Sequence, residues 1–407
     1  MIRTNSQRQL KVALVHDYLN EFGGAERVLL ALSEIWPDAP IYTAFYREGS
    51  AAYERFKEKK IITSWAQKVP LFSSYLHSPL RFLAPLIWGS FARVLSDYDV
   101  VITSSSWYVT KGVVRRNTSN VTRKTIEVCY CHTPPRYLYG YPTSIEWQKY
   151  WPVRLYALLI NHFMRVYDFE AAQRVDYFIA NSRNVAARIK KFYRRDSEVI
   201  YPPVEMSASS VQRLATSKKK SKLDASFLDP RPYFLVVSRI VGGKGLQLAV
   251  EVANNLGFKL KVVGKPAGYG LEYNKIKKMA KDNVEFLGYV SDSELVELYS
   301  GARALFVLAE DEDFGITPVE AMLCGTPVIA YDGGGYRETV IQEKTGLFFD
   351  PLTVGSLTLV INTFLDMERK GAFEPKFVRR HAQKFSKERF KKQIEAFVKD
   401  KAGIVKK

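Results

Sequence analysis

The sequence is poor in cysteine and has no long apolar run. Three cysteines in 407 residues are too few for a disulfide framework, and Cys129 and Cys131 lack a second pair of ligands for zinc. No apolar stretch reaches the roughly 18 residues of a membrane-spanning helix. The apolar run near the N-terminus is too short for a signal peptide, and we interpret it as a first strand. We therefore expect a protein of the reducing cytoplasm.

Acidic residues are scarce relative to basic ones. The formal net charge is +18, from 60 Lys and Arg against 42 Asp and Glu, which is typical of proteins that bind nucleic acid, anionic membranes or phosphorylated small molecules. No pattern of an RNA- or DNA-binding module is present. Residues 59–96 hold five Lys or Arg and no acid, mixed with Trp, Phe and Leu. This composition is typical of an interfacial membrane-docking segment; a core helix with solvated basic residues is the alternative.

Short apolar runs alternate with amphipathic helical stretches along the whole chain. The runs are rich in β-branched residues and bounded by polar ones, which predicts strands of parallel sheets joined by helices. We predict strands within nine segments: 11–18, 98–105, 125–132, 175–182, 233–239, 260–264, 284–288, 302–309 and 326–331. Because the alternation restarts after residue 230, the fold class we expect is α/β with two Rossmann-like, doubly wound domains.

Paired prolines mark the predicted domain boundary. Pro202 and Pro203 end a strand and cannot continue a helix. We predict an N-terminal domain at 1–203, a C-terminal domain at 204–383, and a final helix at 384–407 that packs back on the first domain. Ligands of open α/β sheets bind at the carboxyl ends of the strands, so we expect the site in a cleft faced by both domains.

Two glycine-containing turns follow predicted strands. Gly23 and Gly24 lie between the first strand and the first helix, where a backbone can approach an anion closely; an ordinary turn is the alternative. Residues 238–245, SRIVGGKG, lack the first glycine and the final Ser or Thr of a P-loop. Arg239 and Lys244 could still clamp a diphosphate by charge-assisted hydrogen bonds, with a solvated basic turn as the alternative.

The stretch EDEDFGITPVE at 310–320 concentrates five acids in a basic chain. Thr317, Pro318 and Glu320 match a capping box with Thr317 as N-cap, which gives Glu320 a structural explanation. The first amides of the same helix would face a bound anion. Residues 311–313 also imitate a metal-binding DxD pattern, but no second cluster of ligands is nearby. We expect no metal.

Two histidines end predicted strands. His132 lies in CYCHTPPRYLYG and His16 ends the first strand beside Asp17. Neither is accompanied by the Ser or Cys elbow of a nucleophilic triad. His132 would lie at the same carboxyl edge as the other candidates.

Together these features resemble the retaining glycosyltransferases of family 4, along most of the chain. The resemblance rests on the order and spacing of eight motifs. They are the Gly23-Gly24 turn, CHTPPRY (131–137), NS (181–182), YPPV (201–204), SRIVGGKG (238–245), GYVSDSELVELYSGA (288–302), the E-x7-E pair Glu312 and Glu320, and AMLCGTPVIAYDGGGYRETV (321–340). The text around Glu320 is most similar to the mannosyltransferase branch that builds O-antigen and lipid-linked oligosaccharides.

The resemblance implies a GT-B fold in which the domain at 1–203 binds the acceptor and the domain at 204–383 binds the nucleotide sugar. It also implies roles for single residues, carried over by position. Catalysis is expected to depend on His132 beside the sugar, Glu312 on the transferred sugar, and Arg239 and Lys244 on the leaving diphosphate. Eleven positions are expected to bind the donor: Gly23, Gly24, Arg239, Lys244, Tyr289, Val290, Phe314, Gly315, Ile316, Thr317 and Glu320. Of these, Glu320 would accept bonds from ribose hydroxyls.

The resemblance favours GDP-mannose as donor, with a UDP-sugar as the alternative. The expected acceptor is a glycan or polyprenyl-diphosphate-linked saccharide, and the expected partners include an anionic membrane surface but no nucleic acid. A cytoplasmic protein, peripheral on the inner membrane face, would fit this role. A nucleotide-sugar epimerase or hydrolase, and a non-catalytic nucleotide-sugar binder, are the other classes that remain open; a scaffold held by charge alone would leave the motif spacings unexplained.

Overall fold

The structure, a computed structural model, describes residues 10–114, 125–143, 150–206, 233–266 and 271–403. Two compact units divide the chain. The first unit comprises 1–141, 148–203 and 387–407, and the second comprises 142–147 and 204–386. Each unit is described by itself.

The first unit contains a parallel sheet of seven strands in the order β3-β2-β1-β4-β5-β6-β7. The strands are β1 (Val12–His16), β2 (Ile41–Thr43), β3 (Ile61–Thr63), β4 (Val100–Ser105), β5 (Ile126–Cys131), β6 (Tyr177–Ala180) and β7 (Ser197–Val199). Alternate residues of β1 enter different cores: Ala13 and Val15 pack on one side and Val12 and Leu14 on the other. Both faces are therefore buried, which explains why the strands are apolar runs rather than alternating ones.

Six helices connect and cover this sheet. They are α1 (Gly24–Ile35), α2 (Ala51–Phe56), α3 (Ala84–Gly89), α4 (Ala92–Leu95), α5 (Trp151–Arg174) and α6 (Arg183–Tyr193). Between β3 and α3 the chain forms only short 3₁₀ or π turns, at Trp65–Lys68, Phe72–Leu76 and Arg81–Leu83. Residues 59–96, the basic-aromatic segment, therefore form a succession of short elements and not one core helix.

The second unit contains a parallel sheet of six strands in the order β10-β9-β8-β11-β12-β13. The strands are β8 (Tyr233–Val237), β9 (Lys259–Val263), β10 (Val284–Gly288), β11 (Ala302–Val307), β12 (Val328–Tyr331) and β13 (Gly346–Phe349). The helices are α7 (Leu246–Leu256), α8 (Leu271–Met279), α9 (Asp292–Gly301), α10 (Ile316–Leu323), α11 (Tyr336–Thr339), α12 (Val354–Arg369) and α13 (Pro375–Ala382).

The last helix, α14 (Lys387–Lys401), belongs to the first unit. Its Lys387 and Lys391 amines lie 2.8 and 3.1 Å from the Glu34 carboxylate on α1. These two lysines hold the pKa of Glu34 below its usual value against the opposing effect of burial. Phe390 packs edge-on against Tyr130 of β5. Helix α14, which follows the second sheet in the chain, therefore completes the hydrophobic core of the first unit.

The predicted fold class is confirmed. All nine predicted strand segments contain a strand, and both sheets are parallel with helical connections. Because parallel strands end at the same edge, each sheet brings the residues that follow its strands together.

Candidate active site

In the second unit, the turn after β8 places Lys244 against the acidic stretch. Gly245 has a left-handed φ of +68°, and a Cβ there would lie 2.4 Å from the Cβ of Leu308. This close approach holds the turn against the end of β11. The Lys244 amine lies 2.7 Å from Glu312 Oε2, and both side chains remain partly exposed. The structure thus brings together two predicted site residues, while Arg239, in the same turn, is exposed.

Helix α10 begins earlier than the sequence predicts. Its N-cap is Gly315, with a φ of +89°, and no side chain caps it. The predicted capping box, with Thr317 as N-cap and Glu320 at the third helical position, is wrong, because the left-handed glycine already starts the helix two residues earlier. The amides of its first turn, which include Ile316 and Thr317, have no acceptor within the helix. Such a helix start favours an anion.

Glu320 is buried inside α10 for a reason other than capping. Its Oε2 accepts a hydrogen bond of 2.9 Å from the hydroxyl of Tyr299, and Thr326 donates to the Tyr299 carbonyl over 2.6 Å. These bonds tie α9, α10 and the start of the next strand together. Glu320 is 2% exposed, so one of its functions is to accept this internal bond.

A triple-glycine turn supports the acidic stretch from behind. The Gly335 amide donates to the Glu312 carbonyl over 2.8 Å. A Cβ on Gly334 would lie 2.3 Å from that same carbonyl oxygen, and a Cβ on Gly335 would lie 2.4 Å from Cα of Phe314. Only glycine allows this approach of two backbones. The turn at 333–335 therefore fixes the position of Glu312.

The other predicted donor residues of this unit differ in exposure. Phe314 is buried and packs edge-on against Phe385. Tyr289 is exposed, with the Lys265 amine 4.9 Å from its ring centre, whereas Val290 is half-buried. Tyr289 therefore offers an open aromatic face, and Phe314 supports the acidic stretch from inside.

In the first unit, the Gly23-Gly24 turn opens α1. Gly23 is the N-cap and Gly24 the first helical residue. The Gly23 amide donates to Glu26 Oε2 over 2.8 Å, as in the backbone half of a capping box. The predicted anion-binding turn is thus at a helix N-terminus, where Glu26 bonds the Gly23 amide.

His132 directly follows β5 and is almost completely buried. Its Nε2 lies 2.8 Å from the Ser104 hydroxyl, which lies 3.0 Å from Nδ1 of His16. The Asn181 amide donates to the His132 carbonyl over 2.9 Å. Burial lowers the pKa of His132 to about 3, with a smaller contribution from His16. The ring is therefore neutral at physiological pH.

Asp17, which the sequence analysis gave no role, organises the loop after β4. Its carboxylate accepts bonds from the amides of Ser106, Trp107 and Tyr108 and from the hydroxyls of Ser106 and Thr110. The sequence signal is the position after β1, at the same edge as His16. Ser104 and Glu26 were missed as well, because a buried serine and a first-turn glutamate are common in any α/β protein.

The described ranges contain neither a metal-binding cluster nor a membrane-spanning helix. No group of three or more His, Cys, Asp or Glu side chains there could hold a metal ion. No helix in those ranges is both long and apolar enough to cross a membrane.

Comparison with known proteins assigns both halves of the chain. Residues 22–208 match the model of "Glycosyltransferase Family 4", and residues 217–401 match "Glycosyl transferases group 1". The alpha-1,3/1,6-mannosyltransferase ALG2 of Mus musculus is 25% identical, over 92% of this chain and 93% of that protein. The D-inositol 3-phosphate glycosyltransferase of Mycobacteroides abscessus is 27% identical over 53% of this chain. The match spans about half the length of that relative.

Solved structures share the fold. Anabaena Alr3699/HepE in complex with UDP and glucose aligns with a TM-score of 0.69 at 19% identity, over 96% of this chain and 99% of that one. Sucrose-phosphate synthase from Thermosynechococcus elongatus aligns with a TM-score of 0.73 at 19% identity, over 98% and 100%. The chain carries GT-B glycosyltransferase domains of family 4 and group 1 and is a glycosyltransferase.

Proposed function

We propose that this glycosyltransferase transfers mannose from GDP-mannose, with retention of configuration, to a polyprenyl-diphosphate-linked saccharide in cell-surface polysaccharide synthesis. The observation that carries the proposal is the edge of the second sheet, where Lys244, Glu312 and the start of α10 converge. The similarity to ALG2 proteins, which are named mannosyltransferases, along 92% of the chain supports mannose.

The proposed chemistry follows from the charges that develop during transfer. Cleavage of the bond between sugar and diphosphate leaves negative charge on the leaving group and positive charge on the sugar. Lys244, Arg239 and the amides at the start of α10 would stabilise the diphosphate, because fixed cations and dipoles act where charge develops. Lys244 would then leave Glu312 for the phosphates, and the released carboxylate of Glu312 would accept bonds from sugar hydroxyls.

The remaining predicted donor residues fit this assignment. Tyr289 has an exposed ring on which a purine can stack. Glu320, whose Oε2 accepts a hydrogen bond from Tyr299, would also accept bonds from ribose hydroxyls. From the first unit, the turn at Gly23 and Gly24 would approach the phosphates, and His132 would contact the sugar. We propose that no metal is required.

Helix α5 supports a membrane-bound acceptor because it exposes many large apolar side chains and buries polar residues beside apolar ones. The residues that α5 buries include Asn161 and Asp168, and Asp168 pairs with the fully buried Lys111. Its exposed residues include large apolar side chains, which we call the α5 surface. These are Trp151, Val153, Leu155, Leu158, Leu159, Phe163, Val166 and Phe169.

The neighbouring basic-aromatic segment extends this surface. Arg81 donates to Asn161 over 3.0 Å, and the Tyr156 hydroxyl donates to the Pro79 carbonyl, so the segment packs against α5. Leu71, Tyr75 and Leu86 of the segment are exposed. Exposed apolar side chains in a region with five basic and no acidic residues favour an anionic bilayer surface.

A panel of nucleotide sugars tests the donor assignment. A ligand that binds only the folded protein raises its melting temperature. We expect GDP-mannose to raise it more than UDP-glucose, GDP-glucose or UDP-N-acetylglucosamine does, with and without EDTA. A larger shift with a UDP-sugar would assign the other donor, and a shift abolished by EDTA would contradict metal independence. Epimerised nucleotide sugar, or hydrolysis without transfer to any acceptor, would contradict the proposed reaction.

A further inference from the structure

Four side chains of the first unit, from α1, β1, β4 and the residue after β5, form a continuous hydrogen-bonded array that ends at His132. The Glu26 carboxylate lies 3.5 Å from Nε2 of His16, Nδ1 of His16 lies 3.0 Å from the Ser104 hydroxyl, and that hydroxyl lies 2.8 Å from Nε2 of His132. His16 and Ser104 are buried. Each group in the array restricts the proton positions of the next.

The direction of the array follows from counting donors and acceptors. An ionised carboxylate can only accept, so Nε2 of His16 carries a proton toward Glu26. When the His16 ring carries only this proton, its Nδ1 is bare and accepts a hydrogen bond from the Ser104 hydroxyl. Ser104 oxygen is left to accept from His132, so Nε2 of His132 carries the proton and its Nδ1 is bare.

We propose that Ser104, supported by His16 and Glu26, is a positioning residue that fixes His132 in the Nε2–H tautomer with Nδ1 as a hydrogen-bond acceptor. The low pKa that burial gives His132 agrees with a neutral ring. Within the described ranges, the His132 ring hydrogen-bonds only Ser104, through Nε2, and its aromatic contact is with the Tyr130 ring.

The consequence for catalysis rests on the proposed function. A bare Nδ1 accepts a hydrogen bond and cannot donate one, so His132 would orient a hydroxyl of the donor sugar that donates its hydrogen bond to Nδ1. A free imidazole populates both tautomers, whereas the array holds His132 in one tautomer before the donor binds. Ser104 would act through His132 without touching the substrate.

The tautomer can be measured on the full chain without any substrate. The chain has five histidines, so long-range nitrogen–proton spectra of protein labelled with ¹⁵N-histidine can be assigned with one His→Gln variant per ring. We expect His132 to show a protonated Nε2 and a pyridine-type Nδ1 at neutral pH. In Ser104→Ala we expect the two His132 nitrogens to shift toward the averaged positions of mixed tautomers.

Ser105→Ala is the matched control. Ser105 is the next residue on β4, is equally buried, and its side chain points to the opposite face of the strand. Its removal should leave the His132 signals unchanged. A protonated Nδ1 on His132 in the wild type, a doubly protonated ring, or His132 signals that do not respond to Ser104→Ala would overturn the proposal.

Kinetics separate this proposal from the proposed function. With an active donor, Ser104→Ala should lower kcat about tenfold, the value of a hydrogen bond that is lost or misdirected, and change the donor KM little. A wild type with the expected tautomer and no glycosyl transfer would leave the array standing and remove the function. An unchanged kcat in Ser104→Ala, together with transfer by the wild type, would show that the array does not assist the reaction.

Discussion

The two sheets share one strand order, yet their carboxyl edges differ in charge and exposure. Six strands of the first unit, in the order β3-β2-β1-β4-β5-β6, have counterparts in β10-β9-β8-β11-β12-β13, and β7 is an additional edge strand. The edge of the first sheet carries a buried, neutral histidine in a hydrogen-bonded array. The edge of the second carries a partly exposed ion pair, Lys244 with Glu312.

The same topology can therefore serve contacts with neutral groups at one sheet and contacts with charged groups at the other. A buried array with fixed protons is suited to orienting a neutral hydroxyl, since its groups have no water to exchange with. A partly exposed ion pair costs little to open, so its two members can turn to a ligand that carries both phosphates and hydroxyls. We infer that the carboxyl edge of the second sheet binds the charged groups of the ligand. The carboxyl edge of the first sheet orients a neutral hydroxyl.

The largest effect is expected from removing the cation of the charged edge. Lys244→Ala should lower kcat/KM roughly 10²- to 10³-fold, the usual loss when one stabilising group for developing charge is deleted. It should also reduce the melting-temperature shift with GDP-mannose. Lys261→Ala is the matched control, because Lys261 belongs to another partly exposed ion pair of the same unit, with Glu285. Equal kinetics for the two variants would contradict the assigned role of Lys244.

The second effect concerns the turn that holds Glu312. A methyl group on Gly334 would collide with the Glu312 carbonyl oxygen, and the φ of Gly334 is +54°. Gly334→Ala should therefore destabilise the protein by about 1–3 kcal/mol and weaken donor binding. Gly355→Ala meets nothing within 4 Å and has no left-handed φ, so its stability in urea should match or exceed the wild type. A neutral Gly334→Ala would show that the turn is not constrained as described.

The neutral edge should make stability depend on pH. His132 has a pKa of about 3 when folded and an ordinary value near 6.5 when unfolded. Below pH 6.5 only the unfolded ring binds the proton, so stability falls as pH falls. Between pH 7 and 5 this loss amounts to about 2 kcal/mol.

Urea unfolding at the two pH values checks this. His132→Gln should reduce the pH-dependent loss, whereas His162→Gln, at an exposed position, should leave it unchanged. An identical pH dependence in wild type and His132→Gln would mean that His132 is not held neutral.

The sequence predicted the architecture better than the contacts. Nine apolar segments located nine strands. The sequence missed β2, β3 and β7, which are only three residues long, and also β13. The E-x7-E spacing and SRIVGGKG pointed to Lys244 and Glu312, which the structure places in contact.

What the sequence could not supply depends on tertiary context. The helix start at Gly315 was missed because Thr317-Pro318 imitates a capping box, and only the left-handed φ of Gly315 decides between them. The array from Glu26 to His132 depends on strand register, which brings His16 to Ser104, 88 positions away in the chain. No local pattern marks Ser104 as part of it.

The smallest effect is expected from a substitution on the α5 surface. Leu158 of the α5 surface and Leu359 of α12 are both 69% exposed, so they form a matched pair. Leu158→Asp should weaken sedimentation with anionic vesicles roughly tenfold, since it removes an apolar side chain from the bilayer and adds a negative charge. Leu359→Asp should not weaken it. Equal effects, or concentration-dependent dimers that Leu158→Asp abolishes without vesicles, would assign the surface to another partner.

The most direct test of the proposed function is transfer itself. Purified wild-type protein would be given GDP-mannose labelled in the sugar and a panel of polyprenyl-diphosphate-linked saccharides. We expect labelled, lipid-linked product and stoichiometric GDP from the wild type and Lys261→Ala, and product formation roughly 10²- to 10³-fold slower with Lys244→Ala. Product from UDP-sugars alone, or GDP-mannose hydrolysed without any lipid-linked product, would contradict it.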